Sequence, residues 1–369
     1  MPVQDASSDS DSTEPTFAML SCAHGAESLV KSDVARDGWR LAFSRPGFVT
    51  CKHDQRRGLP SGIFIRTASH SLHQARDVDG ERLIAGVIDK LQSLDASIRF
   101  DQVHVWPRDR APIGRFDFEP GADEVTRAVA DAFMLRCRST NSIEHRLMCD
   151  RANQVARPGE QVLDIVLVEP SQWFVGMHQV SRTPSMWPGA VQPIELEQPP
   201  ISRAYFKAAE AIAWSGWDMR PGDKAVEVGS APGGACMRML EMGMHVLGID
   251  PAEMAPSILE HPRFQHIRAR AGDLPRRTFA GAKWMFVDSN VKPEATLSTV
   301  RHIVMSRETA FNGLLITMKL GQYDRADQIP RWRDEIQRWG PERIEIRQLA
   351  RNRCEVCFAV TMPASRVKR

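Results

Sequence analysis

The sequence predicts a Rossmann-like, doubly wound α/β domain of seven strands, preceded by a smaller α+β domain. Three observations carry this. From Ser202 onward, apolar runs of strand length recur at Ala225, His245, Gln265, Lys283, Leu314, Ile344 and Glu355, most of them separated by helix-patterned stretches near 234–242, 253–260, 294–309 and 325–338. Such alternation is the signature of a mainly parallel sheet, and the last two strands read as an added pair. The first strand, Lys224–Val228, runs into a turn of small residues, Gly229-Ser230-Ala231-Pro232-Gly233-Gly234, and then into a helix-like stretch, Ala235–Met242. Finally, acids stand in or beside three successive strands: Glu227, Asp250 and Asp273.

The N-terminal half alternates less regularly. Thr16–Ala23 reads as a strand and Ala26–Ala35 as a helix; Leu41–Lys52 and Gly62–Ala68 read as further strands. Gly80–Leu94 carries Leu83, Ile84, Val87, Ile88 and Leu91 at helical spacing. Phe100–Trp106 alternates as a strand, Val125–Leu135 reads as a helix, and Gln161–Val168 and Trp173–Val180 form a strand pair around a Glu169-Pro170-Ser171 turn. The histidines His70, His73, His104, His145 and His178 are not spaced as metal ligands. Thr183–Pro200 holds five prolines and reads as a stiff, extended connector. The expected division is therefore a disordered tail at 1–15, an α+β domain at 16–182, a linker at 183–200 and the α/β domain at 201–369.

The glycine spacing is G-x-x-x-G-G, not the G-x-G-x-x-G of dinucleotide sites. A strand feeding a glycine turn and a helix start leaves backbone N–H groups free for a ligand. Glu227, two residues before the first glycine, suits a cofactor with positive charge, such as S-adenosylmethionine (SAM) with its ammonium and sulfonium. Asp250 follows Glu227 by 23 residues, near the spacing of about 20 at which a strand-end acid holds ribose hydroxyls. Asp273, after the third strand, is placed to face an adenine amino group.

With 42% hydrophobic and 25% charged residues over 369 positions, the chain has the composition of a globular protein of two or three domains. No apolar run reaches the roughly 18 residues of a membrane span. The start, MPVQDASSDSDSTEP, lacks the basic and apolar segments of a secretory signal. A cytoplasmic location is expected, and seven scattered cysteines agree with it. Cys354 and Cys357 form a lone C-x-x-C on a strand, where they point to opposite faces, so no metal site is expected. Charge is uneven: residues 201–369 hold 26 Lys/Arg against 19 Asp/Glu, and residues 1–200 hold 22 against 27. A basic C-terminal half suggests a polyanionic partner. Any contact of that partner with the acidic half would need a local basic patch, around Lys52–Arg57, or recognition of the partner's folded shape.

Four polar residues stand where apolar strands end or begin. Lys207 lies on the helix before the first strand. Asp288 ends Trp284–Val287, Lys319 ends Leu314–Met318, and Glu355 lies within the last apolar run, Cys354–Val360. Charges there are costly unless paired, and two cations with two anions can pair with each other. Strand carboxyl ends are also where open α/β sheets bind ligands. A ribose 2′-hydroxyl is a poor nucleophile at neutral pH, and a lysine held in such a set can steer or accept its proton. In-line displacement of the SAM methyl by that oxygen follows.

These stretches resemble the FtsJ/RrmJ superfamily of RNA ribose 2′-O-methyltransferases. The resemblance covers residues 201–369, through Ser202-Arg203-Ala204-Tyr205-Phe206-Lys207, the turn Gly229–Gly234, Val287-Asp288, Met318-Lys319 and Cys354-Glu355-Val356. It implies a catalytic K-D-K-E tetrad on Lys207, Asp288, Lys319 and Glu355, with Asp288 also beside SAM. The best match within the superfamily is the RlmM type, which carries an N-terminal THUMP-containing RNA-capture region and methylates a cytidine ribose of large-subunit ribosomal RNA. Two departures stand out. Ala235-Cys236 follow the paired glycines, where the family has an aromatic, and Glu227 replaces its usual Asp. Methylation of transfer RNA or an mRNA cap, a dehydrogenase, and a non-catalytic RNA-binding protein remain as alternatives. The sequence does not give the oligomeric state.

Overall fold

Residues 15–140 and 143–363 are described, from a computed structural model. The expected tail at 1–15 lies, apart from Pro15, outside them. The chain divides into two units.

The first unit gathers the chain up to Arg110 together with Ala122–Val180. It contains β1 (Thr16–Ser21), α1 (Glu27–Arg36), β2 (Arg40–Arg45), β3 (Phe48–His53), β4 (Thr67–Arg76), α2 (Gly80–Ser93), β5 (Gln102–Pro107), α3 (Glu124–Arg138), β6 (Gln161–Glu169) and β7 (Gln172–Gln179). The strands form one sheet, β2-β3-β1-β4-β7-β6-β5, antiparallel except for the β5–β6 pair. Asp79 and Asp123 cap α2 and α3 by accepting the N–H of Glu81 and Thr126. The α2 stripe of Leu83, Ile84, Val87, Ile88 and Leu91 is at most 5% exposed and packs with Val103, Phe133 and Ile165.

Two strand expectations are corrected in this unit. The run 41–52 is a hairpin rather than one strand, because Gly47 turns it with φ +74. A Cβ at Gly47 would stand 2.5 Å from the Asp109 carbonyl oxygen, so only glycine fits. The run 62–68 is loop up to Arg66; its apolar residues Phe64 and Ile65 are buried without joining the sheet. Arg66 is buried too, and its guanidinium grips both oxygens of Asp109 at 2.8 Å.

The second unit comprises Ala111–Gly121 and the chain from Ser181. It holds α4 (Ala204–Ser215), β8 (Lys224–Val228), α5 (Gly234–Glu241), β9 (His245–Ile249), α6 (Pro256–Leu259), β10 (Phe264–Ile267), β11 (Trp284–Val287), α7 (Pro293–Val304), β12 (Gly313–Lys319), α8 (Ile329–Gln337), β13 (Arg343–Arg347) and β14 (Glu355–Thr361). Its sheet order is β10-β9-β8-β11-β12-β14-β13. The first five strands are parallel; β14 runs antiparallel to β12, and β13 to β14. Trp284–Val287 is buried throughout, as a strand covered on both faces must be. Chain order reverses between β8 and β11, which opens a crevice at their carboxyl ends.

The proline-rich segment is not extended throughout. Thr183–Met186 and Pro188–Ala190 are 3-10 turns, and Trp187 and Val191 are no more than 7% exposed. Among the described residues no helix is long and apolar enough to cross a membrane, and no group of three or more His, Cys, Asp or Glu is placed to hold a metal.

Candidate active site

A cavity of about 540 Å³ lies at the β8/β11 reversal, within the usual range for small-molecule sites. Val228, Ile249 and Val287, the last residues of β8, β9 and β11, form its floor, and Thr296 and Thr299 of α7 form part of its wall. Gly229 carries the chain past this floor with φ +87; a Cβ there would stand 2.5 Å from the Asp288 carbonyl oxygen. Any other residue would push β8 and β11 apart at the site.

The structure divides the sequence-derived cofactor set. Gly229, Ala231, Asp250, Asp273 and Asp288 line the cavity; Glu227, Ser230, Pro232, Gly233 and Gly234 do not. Asp250 accepts the Ala231 N–H at 3.3 Å and the Ala252 N–H at 2.8 Å, one on each oxygen. Each oxygen keeps a lone pair for a ribose hydroxyl. Asp273 sits on a 3-10 turn rather than at a strand end, because β10 stops at Ile267 and not near Ala271. The paired glycines pack helices. A Cβ at Gly233 would stand 2.8 Å from Ile258, and one at Gly234 would stand 2.9 Å from the Ser202 carbonyl oxygen. Ser230 is buried with its hydroxyl 3.5 Å from the Met254 sulfur, and Pro232 is exposed.

Glu227 departs most from its expected role. It is 2% exposed and accepts the Cys236 thiol proton at 2.7 Å. It lines a second cavity, about 30 Å³, beside Lys207 and Asp288. Burial, reinforced by the negative charges of Asp288 and Asp250, pushes its carboxyl up to about 8. Burial thus disfavours the charged form of Glu227. Glu227 and Cys236, two positions at which the sequence departs from the pattern it resembles, are partners. A raised carboxyl value means the fold holds a proton that the unfolded chain has released, so this group's contribution to stability falls as pH rises from 4.5 to about 8. Glu227→Gln should remove that fall and stabilise the protein by about 2–4 kcal/mol at the upper end of the window. Denaturant titrations across the window test this, and parallel pH curves for both proteins would refute it.

Beside the cavity, which Asp288 lines, the four predicted charges meet. Lys207 Nζ lies 2.6 Å from Asp288 Oδ2 and 2.7 Å from Glu355 Oε1. Lys319 Nζ lies 3.8 Å from Asp288 Oδ1. The sheet sets this geometry, since Lys319 on β12 is the register partner of Glu355 on β14. Burial alone would drive the proton from Lys207, but Glu355 and then Asp288 outweigh it and hold the ammonium above its ordinary value. The Lys207 side chain is 13% exposed and that of Lys319 is 35% exposed. Lys319 is therefore better solvated than its place at the end of an apolar strand suggests. Asp288 Oδ1 is buried and accepts no hydrogen bond.

Sequence reasoning missed Asn290, which lines the cavity and accepts a hydrogen bond from Lys319 Nζ through its side-chain oxygen. Its signal was available: it lies two residues beyond Asp288 in the turn that reaches α7. Cys354 and Cys357 are free thiols, Cys357 buried inside β14 and Cys354 half-buried before it.

Strand order, the antiparallel β14 and the cavity at the reversal define the Rossmann-like fold class of SAM-dependent methyltransferases. No family model matches the chain. It is similar to the ribosomal RNA large subunit methyltransferase M of Azotobacter vinelandii, with 29% identity over 203 residues, covering 52% of this chain and 56% of that protein. The chain thus spans little more than half the length of that relative. Similarity to the protein of the same name from Teredinibacter turnerae is 25% over 342 residues, covering 82% of this chain and 92% of that one. Among solved structures, TrmN from Thermus thermophilus aligns at TM-score 0.35 with 11% identity, covering 94% of this chain and all of that one (100%). The fibrillarin pre-rRNA processing protein of Methanococcus jannaschii aligns at 0.33 with 12% identity, covering 42% and 74%. The fold assignment rests on strand order rather than on these two alignments.

Proposed function

We propose that the chain is a SAM-dependent RNA ribose 2′-O-methyltransferase acting on a cytidine of large-subunit ribosomal RNA, with the first unit capturing the RNA and the cytoplasm as its location. The observation that carries this reading is the Lys207–Asp288–Lys319–Glu355 cluster, whose Asp288 also lines the cavity between β8 and β11. Sequence similarity to two large-subunit methyltransferases supports the substrate class.

The residues present fit SAM. Asp250 offers free lone pairs for ribose hydroxyls, Asp273 and Asp288 line the same cavity, and Asp288 Oδ1 accepts no hydrogen bond. SAM supplies the electrophilic methyl group. Lys207, held protonated by two carboxylates, fixes Asp288 and Glu355 and takes no proton from substrate. Lys319, the more open lysine, would in its neutral amine form accept the 2′-hydroxyl proton at Nζ as the oxygen attacks, with S-adenosylhomocysteine as the leaving group. Placing the oxygen in line with the methyl supplies much of the rate.

Calorimetry with SAM and with NAD separates this reading from a dehydrogenase on a similar sheet. The expected result is SAM binding and no NAD binding. Asp250→Ala should weaken SAM by about 1.5–3 kcal/mol, the loss of hydrogen bonds to a charged group. Unchanged SAM affinity in that variant would count against this cavity.

A further inference from the structure

Ala111–Gly121 lies between β5 and α3 in the chain yet belongs to the second unit. It is fastened beside the tetrad. Glu119 pairs with Arg203, the residue before α4, at 2.7 Å, and with Arg351 at 3.6 Å. The Arg353 guanidinium lies against Gly114, where a Cβ would stand 3.4 Å from its central carbon. The Arg353 backbone N–H in turn donates to the tetrad's Glu355 at 3.4 Å. Ile113 and Phe118 sink into the unit at 7% exposure each. The turn between them is closed by Gly114 N–H donating to the Phe118 carbonyl at 2.8 Å.

The tip of this turn is Phe116, 82% exposed. The Arg115 guanidinium stands 4.9 Å from its ring centre. Phe116 and Asp117 both have φ 54, a left-handed backbone that favours glycine and is unusual for a bulky residue. The fold therefore keeps an aromatic where glycine would be less strained and where the ring buries almost nothing. Folding explains neither choice. A second such pair lies nearby, with Arg351 4.9 Å over Phe206, the neighbour of Lys207.

Exposed aromatic rings beside guanidinium groups hold unstacked nucleobases in single-stranded RNA. We propose that Phe116, with Arg115, is a stacking platform for a base of single-stranded RNA flanking the ribose presented to the tetrad. The inference rests on the reading of the chain as an RNA methyltransferase. Stacking accepts any base, so the platform contributes affinity and position rather than sequence choice.

The test uses the full chain with Phe116→Ala, Phe116→Gly and Phe116→Trp. The probes are a fluorescent mixed-sequence single-stranded oligoribonucleotide and deproteinised large-subunit ribosomal RNA. Alanine and glycine should weaken binding of both by roughly 10-fold, within the range for losing one stacked base. The RNA concentration for half-maximal methyl transfer should rise by a similar factor. The rate at saturating RNA and the affinity for SAM should not change, and tryptophan should restore binding. The glycine variant should melt no lower than wild type, because its backbone is relaxed. Alanine and glycine variants that bind RNA like wild type would overturn the platform, as would tryptophan failing like alanine, or a wild-type protein that binds neither probe. Wild-type protein that binds RNA but transfers no methyl to it would sink the methyltransferase reading, while the platform is still judged by binding.

Discussion

Lys319→Ala is expected to leave the fold and SAM binding nearly intact and to slow methyl transfer by roughly 100-fold or more, the range for an acid–base group. The fold should tolerate the change because a third of the side chain is already exposed and its nearest carboxylate oxygen is 3.8 Å away. Lys319→Arg should fail as well, since a guanidinium does not give up its proton near neutral pH. Single-turnover transfer from labelled SAM separates the two roles open to this lysine. Activity surviving in Lys319→Arg would mean that the position supplies only fixed positive charge, and the proton-handling role would be withdrawn.

Lys207→Met is expected to act on stability as much as on activity. Lys207 holds two carboxylates that are themselves mostly buried, Glu355 at 8% side-chain exposure and Asp288 at 23%. Removing the cation leaves two like charges facing each other, and breaking a buried pair in this way costs about 3–5 kcal/mol. Denaturant titration measures it, and a loss below about 1 kcal/mol, the range of exposed pairs, would mean that the network is solvated and contributes little. The pH dependence has a fixed sign. The folded value of Lys207 is raised above 10.5, so its contribution is fully present below 10.5 and is lost as pH climbs through the higher folded value. The Lys207→Met variant should lack that alkaline loss.

Much of this architecture can be read from the chain because the signals are local. Apolar runs ending in a charge mark β11 and β12, and burial on both faces explains why those runs do not alternate. The α2 stripe is equally plain. Pairing is not local, so the sequence shows four charges but not that Lys207 takes both carboxylates while Lys319 turns to Asn290. The glycine turn is a similar case. All its residues look alike in the sequence, yet Gly229 is required by the close pass of Asp288, and Gly233 and Gly234 by Ile258 and Ser202. Glu227 looks like a ligand by its spacing and turns out to be buried on Cys236, a partner nine residues on that only the α5 geometry supplies. The hairpin at Gly47 and the 3-10 turns at 183–190 were hidden for another reason. Residue composition marks a turn or a proline-rich segment but does not say what packs against it.

The most direct measurement is the position of the transferred methyl group. Large-subunit ribosomal RNA lacking the modification is incubated with the protein and methyl-labelled SAM, then digested in alkali. A 2′-O-methyl group removes the hydroxyl that alkali needs to cut the next bond, so the label should appear in an alkali-resistant dinucleotide containing cytidine, and Lys319→Ala should abolish it. Label released in ordinary mononucleotides would place the methyl on a base and contradict ribose chemistry at the Lys207–Asp288–Lys319–Glu355 site.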